Sequence, residues 1–153
     1  MSSPLPSTLS PHPTSWTIPA PEAWKDVAQE IAGQLHDGDI LTLSGPLGVG
    51  KTTFVQTLAS ALGSASTPKS PTFSMLRTYR ISANGLFRML HVDAYRIENE
   101  ADMIALDLDE ELAIPGTILV LEWPERVSRW LSTRKHRNLL MEIDGEGRRA
   151  RLE

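Results

Sequence analysis

With 153 residues, 41% of them apolar and 22% charged, the chain has the length and composition of one globular domain with a buried core. A formal net charge of −4 argues against broad, sequence-independent nucleic-acid binding, which needs a basic face, but leaves room for a partner that holds the RNA. With no cysteine there are no disulfides, thiolate metal sites or cysteine nucleophile. No apolar run is long enough for a bilayer and no secretory pattern opens the chain, so a cytoplasmic protein is expected.

Residues 1–14 are rich in Pro and Ser, and Pro4, Pro6, Pro11 and Pro13 break any helix or ladder there. This stretch reads as a disordered tail, and residues 15–153 as a single domain. A short β-like run, Ser15 to Ile18, comes first, and Pro21 suits the first turn of a helix. Trp24, Val27, Ala28, Ile31, Ala32 and Leu35 then recur at helical spacing, giving one apolar face. Ile40 to Leu43 is a short apolar strand that ends on a glycine-rich loop, Gly45-Pro46-Leu47-Gly48-Val49-Gly50-Lys51-Thr52. Behind it Phe54, Val55, Leu58, Ala59 and Leu62 keep a helix period up to a capping Gly63.

Met75 to Ile81 and Leu86 to Val92 flank Asn84-Gly85, a strong hairpin signal. The acidic stretch from Tyr95 to about Ala113 holds one or two short helices, stopped by Pro115-Gly116. Ile118 to Leu121 is an unbroken apolar run, the pattern of a strand buried on both faces. Asn138 to Ile143 and Arg148 to Leu152 close the chain as a hairpin, its charged second strand suited to a sheet edge. The order of elements implies an α/β, P-loop NTPase-like three-layer domain with a mixed sheet of about seven strands.

The loop satisfies G-x-x-x-x-G-K-[ST] at every required position, between a strand and an amphipathic helix. Glycines let successive N–H groups converge on phosphate oxygens, and the helix start adds its dipole. Lys51 is expected on the β- and γ-phosphates and the Thr52 hydroxyl on Mg²⁺. Gly45, Gly48, Val49, Gly50, Lys51, Thr52 and Thr53 are therefore the expected nucleotide contacts. Such a site also needs an acid at the end of a neighbouring strand, for the metal or for the attacking water. Asp93 and Glu122 each end an apolar strand, and the pattern leaves open which of them holds the metal.

His91 stands two residues before Asp93, so both side chains face one side of the strand; it either orients a water or the acid, or is structural. Thr72, in Ser70-Pro71-Thr72-Phe73, lies where many P-loop proteins sense the γ-phosphate, although a simple turn with Phe73 in the core fits the residues slightly better.

Four segments together carry a resemblance: 45–54 (Gly-Pro-Leu-Gly-Val-Gly-Lys-Thr-Thr-Phe), Ser70-Pro71-Thr72-Phe73, His91-Val92-Asp93-Ala94-Tyr95-Arg96 and Leu121-Glu122-Trp123-Pro124-Glu125-Arg126. In order and spacing they closely resemble the bacterial TsaE family, also called YjeE, over roughly residues 18–152. The resemblance implies a P-loop ATPase, weak alone, that serves the formation of N6-threonylcarbamoyladenosine in tRNA. It implies TsaB- and TsaD-type partner subunits, with TsaD transferring the threonylcarbamoyl group, ATP hydrolysis resetting the complex, and tRNA met only through that complex.

By position the resemblance assigns Thr72 to a switch-like segment, makes Asp93 the Walker B-type acid, and puts Glu122 near Mg²⁺ or the hydrolytic water. Trp123 follows in the family motif, as an ordering or partner-facing residue. Position 46 is commonly acidic in the family and is proline here, which removes one N–H early in the loop. A small-molecule P-loop kinase is the alternative, disfavoured by the absence of an Arg-rich lid segment. No Asn-Lys-x-Asp motif is present to read guanine.

Overall fold

The computed structural model of the chain describes residues 14–65 and 75–153. The proposed tail therefore lies almost entirely outside the described residues, but the Thr14 carbonyl already accepts from the Leu152 amide. Seven strands form one sheet: β1 (Ser15–Ile18), β2 (Ile40–Ser44), β3 (Leu76–Ala83), β4 (Leu86–Asp93), β5 (Thr117–Glu122), β6 (Arg137–Asp144) and β7 (Gly147–Leu152). Their order is β1-β7-β6-β2-β5-β4-β3. The central set β6-β2-β5-β4 is parallel, while β3, β7 and β1 join it antiparallel. The sheet is mixed, as the order of elements predicts.

Two longer helices, α1 (Trp24–Ala32) and α2 (Lys51–Ala61), cover one face. The short α3 (Glu100–Ile104), α4 (Leu108–Leu112) and α5 (Ser128–Leu131) lie over the other face, so the domain has three layers. Trp24 of α1 meets Phe54 of α2 edge-on, with ring centroids 5.7 Å apart. Alternation along β5 sends Ile118 and Val120 to the α1–α2 side and Leu119 and Leu121 to the other. Every residue of β5 is buried, which explains the unbroken apolar run Ile118 to Leu121 within it.

The β3–β4 turn uses Asn84 (φ 54°) and Gly85 (φ 76°), the left-handed pair that a two-residue hairpin demands. Asn84 Nδ2 also donates to the carbonyl of Ala32, tying the turn to the end of α1. One expectation needs correction, and one segment is an addition. The charged strand β7 is not a sheet edge: β1 pairs with it residue for residue, Ser15 to Arg151 through Ile18 to Arg148, and is itself the edge. The segment after Glu122 also holds a 3-10 turn, Pro124–Val127, leading into α5, too short to leave a readable period.

Candidate functional site

The loop between β2 and α2 begins where the chain can follow only one path. Gly45 has φ 151°, and a Cβ there would stand 2.4 Å from the Met141 carbonyl oxygen of β6. A side chain at position 45 would therefore push the loop off the sheet. The Val49 amide donates to the Pro46 carbonyl at 3.2 Å, closing a turn, and Gly50 (φ 114°) caps α2 in a left-handed conformation. Pro46 thus contributes a carbonyl to the loop and withholds only an N–H that the turn does not use. The first-turn amides of α2, on Lys51, Thr52 and Thr53, have no intrahelical acceptor and are free for an anion.

Lys51 is 5% exposed. Its ammonium donates to the carbonyls of Gly45 at 2.6 Å and Pro46 at 3.0 Å, and stands 3.9 Å above the Trp123 ring. One of its three donors remains for a ligand. Burial pushes its pKa below the ordinary lysine range, against the opposing pull of Glu122, Glu125 and Asp93. Trp123 reaches Lys51 because its backbone is left-handed (φ 62°), an uncommon state for a bulky residue and typical of a constrained site. The same ring packs on Tyr95 at 5.0 Å, and the guanidinium of Arg126 lies 5.4 Å from the Tyr95 ring.

Strand register brings the acids together. Leu43, one residue before the end of β2, is level with Glu122 of β5, which is level with Asp93 of β4. Glu122 sits on the strand adjacent to the loop and Asp93 one strand further out. Strand alternation points both toward the α2 face, the side on which Lys51 and Thr52 begin their helix. Thr52, Asp93 and Glu122 all line a small polar cavity of about 60 Å³, shared with His91, Arg77, Arg96 and Met75. A larger cleft of about 330 Å³ adjoins it over Leu47, Gly48, Gly50 to Thr53, Tyr95 and Trp123, and the same three residues line it too. One hydroxyl and two carboxylates beside a phosphate-sized cleft fit a hard cation such as Mg²⁺, which keeps most of its shell as water and phosphate oxygens. Asp93 has a second engagement, accepting from the Tyr95 amide at 3.1 Å and capping the 3-10 turn Ala94–Arg96.

The structure adds one relation that strand alternation alone does not reveal. His91 Nε2 lies 2.6 Å from Glu122 Oε2, with both side chains at most 4% exposed. Sequence reasoning pairs His91 with Asp93 on one face, but its hydrogen-bond partner is the acid of the next strand. His91 Nδ1 and the Tyr79 hydroxyl are buried without partners among the described residues, with ring centroids 6.4 Å apart. A ring carrying its hydrogen on Nε2 leaves Nδ1 a bare acceptor, cheaper to bury than an N–H without an acceptor. In that tautomer His91 donates to Glu122, holding one carboxylate oxygen and leaving the other for the cleft.

Of the expected residues, Gly48, Gly50, Lys51, Thr52, Thr53, Asp93 and Glu122 line the cleft at the C-terminal ends of the parallel strands, whereas Gly45 opens the loop against β6 and the Val49 side chain is buried in the core. Thr72, with its neighbours Ser70, Pro71 and Phe73, lies outside the described residues. Among the described residues no helix is long and apolar enough to cross a membrane.

Known proteins resemble the chain over most of its length. The profile of a family described as threonylcarbamoyl adenosine biosynthesis protein TsaE matches residues 18–151. A Bacillus subtilis relative, named tRNA threonylcarbamoyladenosine biosynthesis protein TsaE, is 38% identical over 116 residues, covering 76% of this chain and 70% of its own. A Mycobacterium tuberculosis relative of the same name is 37% identical over 124 residues, covering 77% and 73%. The crystal structure of Bacillus subtilis YdiB superposes with a TM-score of 0.67 at 28% identity, covering 90% of this chain and 82% of that one. Taken with the order and spacing of the motifs, these matches make the chain a member of the TsaE family of threonylcarbamoyl adenosine biosynthesis proteins.

Proposed function

We propose that the chain is the ATPase subunit of the machinery that forms N6-threonylcarbamoyladenosine in tRNA, working in the cytoplasm with TsaB- and TsaD-type subunits. The observation that carries the reading is the convergence of a phosphate loop with Glu122, an acid held by His91 at 2.6 Å and facing the same cleft as Thr52 and Asp93. Loop amides and the Lys51 ammonium bind and orient the β- and γ-phosphates. The Thr52 hydroxyl and Glu122 would hold Mg²⁺, with the Asp93 carboxylate beside them. Bound there, Mg²⁺ supplies charge neutralisation to the phosphates. The carboxylates of Asp93 and Glu122 face the cleft in which the water that attacks the γ-phosphorus would stand.

Trp123, Tyr95 and Leu47 wall the cleft, and Leu47 is 76% exposed at its rim. A site this open turns over slowly by itself, and a partner subunit that closes it excludes water and completes the geometry.

The test is ATP turnover and tRNA modification with and without the TsaB–TsaD pair, for the wild type, Lys51→Ala and Glu122→Ala. Both variants are expected to lose multiple-turnover modification. If both sustain it like the wild type, the mechanism is wrong.

A further inference from the structure

The phosphate loop is gripped from outside by a residue that belongs to none of the family motifs described above. Arg148, half-buried at the start of β7, donates from Nε to the Val49 carbonyl at 3.2 Å and from Nη2 to the Gly48 carbonyl at 3.4 Å. Its Nη1 donates to the Gly147 carbonyl at 2.8 Å, which fixes the guanidinium plane. The strand beneath is equally fixed, since Arg148 pairs with Ile18 of β1 on one side and Ile143 of β6 on the other.

In a trans peptide the C=O and the N–H lie in one plane and point in opposite directions. The Gly48 carbonyl shares a plane with the Val49 N–H, and the Val49 carbonyl shares one with the Gly50 N–H. Tethering both carbonyls to Arg148 therefore turns both N–H groups away from it, toward the interior of the loop. The Val49 N–H is the one that closes the turn on Pro46. The Gly50 N–H is left to face an anion, next to the free amides of Lys51, Thr52 and Thr53.

The loop needs this restraint. Gly48 (φ 83°) and Gly50 (φ 114°) flank the two peptides, and glycine offers little resistance to a peptide flip that would replace an N–H with a carbonyl. The tether also brings a permanent positive charge behind the amides, polarising them toward the ligand.

We infer that Arg148 is a positioning residue for the nucleotide: without touching it, the guanidinium sets the peptide planes 48–49 and 49–50 so that the loop amides point at phosphate. This rests on the reading of the loop as a Mg-ATP site. Fixed amides serve ground state and transition state alike, so the effect belongs in affinity and KM more than in kcat.

The test compares wild type, Arg148→Ala and Arg148→Lys by calorimetric titration with Mg-ATP, by steady-state ATPase kinetics and by thermal unfolding. Loss of two charge-assisted hydrogen bonds predicts roughly tenfold weaker binding and higher KM in Arg148→Ala, with kcat within about twofold of wild type. Arg148→Lys, which keeps the charge but cannot bridge two carbonyls, is expected to fall between them, and millimolar guanidinium should restore part of the Ala variant's affinity. A folded Arg148→Ala that binds Mg-ATP like wild type overturns the inference, as does an Arg148→Lys indistinguishable from wild type. A wild-type protein that binds no Mg-ATP overturns the nucleotide reading itself, and this inference with it.

Discussion

The pair His91–Glu122 can be weighed by removing each partner and then both. Replacing His91 with Phe keeps a ring in the β4 position but takes away the donor 2.6 Å from Glu122. A carboxylate 4% exposed is then left without that donor, which costs about 3 kcal/mol at the lower end of the range for broken buried pairs, because one oxygen still reaches the cleft. Glu122→Leu leaves the His91 ring without its acceptor and costs about 2 kcal/mol. In the double variant two apolar side chains face each other, and the loss relative to wild type should be about 1–2 kcal/mol, less than His91→Phe alone. For a chain of this length each kcal/mol moves the melting point by about 3 °C, so the single His91→Phe variant should melt about 9 °C low. The assay is urea unfolding of all four proteins in chelator without nucleotide, with ATP turnover measured in parallel. Stability should return in the double variant while turnover stays lost. If the two single losses add within about 0.5 kcal/mol, the pair is not coupled and His91 does not hold Glu122.

Three further outcomes follow from named contacts. Tyr79→Phe removes a buried hydroxyl that has no partner among the described residues, so stability should hold or rise by up to about 1 kcal/mol; a loss above 1 kcal/mol by urea unfolding would reveal a hydrogen bond. Gly45→Ala places a Cβ 2.4 Å from the Met141 carbonyl oxygen, and should cost about 3 kcal/mol or more in chemical denaturation; a cost under 1 kcal/mol refutes the close approach. Lys51 has a folded-state pKa below its unfolded one, so the unfolded chain binds more protons between the two values, and stability gains with rising pH in that window. Lys51→Met should abolish that part of the gain on the alkaline side, below the ordinary lysine range, seen as converging denaturation midpoints of variant and wild type; parallel curves would mean the ammonium is not penalised by burial.

Much of this protein is written locally in the chain. The phosphate loop, the helix behind it, the Asn84-Gly85 hairpin and the buried strand β5 each depend on near neighbours: glycines at left-handed positions, a helical period, an unbroken apolar run. The same holds for the acids, because a carboxylate ending an apolar strand is readable without knowing its neighbours. Those features, with the motif spacing, suffice to place the chain in its family.

What only the tertiary structure decided is which distant residues meet. Strand order put Glu122 beside the loop and Asp93 one strand away, and parallel register, which no local pattern encodes, delivered His91 to Glu122 and not to Asp93. β1 covers β7 although β7 has the charged look of an edge, because alternating charge describes a strand's surface and not its place in the sheet. Arg148, 97 positions beyond Lys51 in sequence, reaches the loop only because the sheet brings β7 against it. Periodicity and propensity act over a few residues, whereas sheet order is settled by the packing of the whole domain, and it is there that this site was assembled.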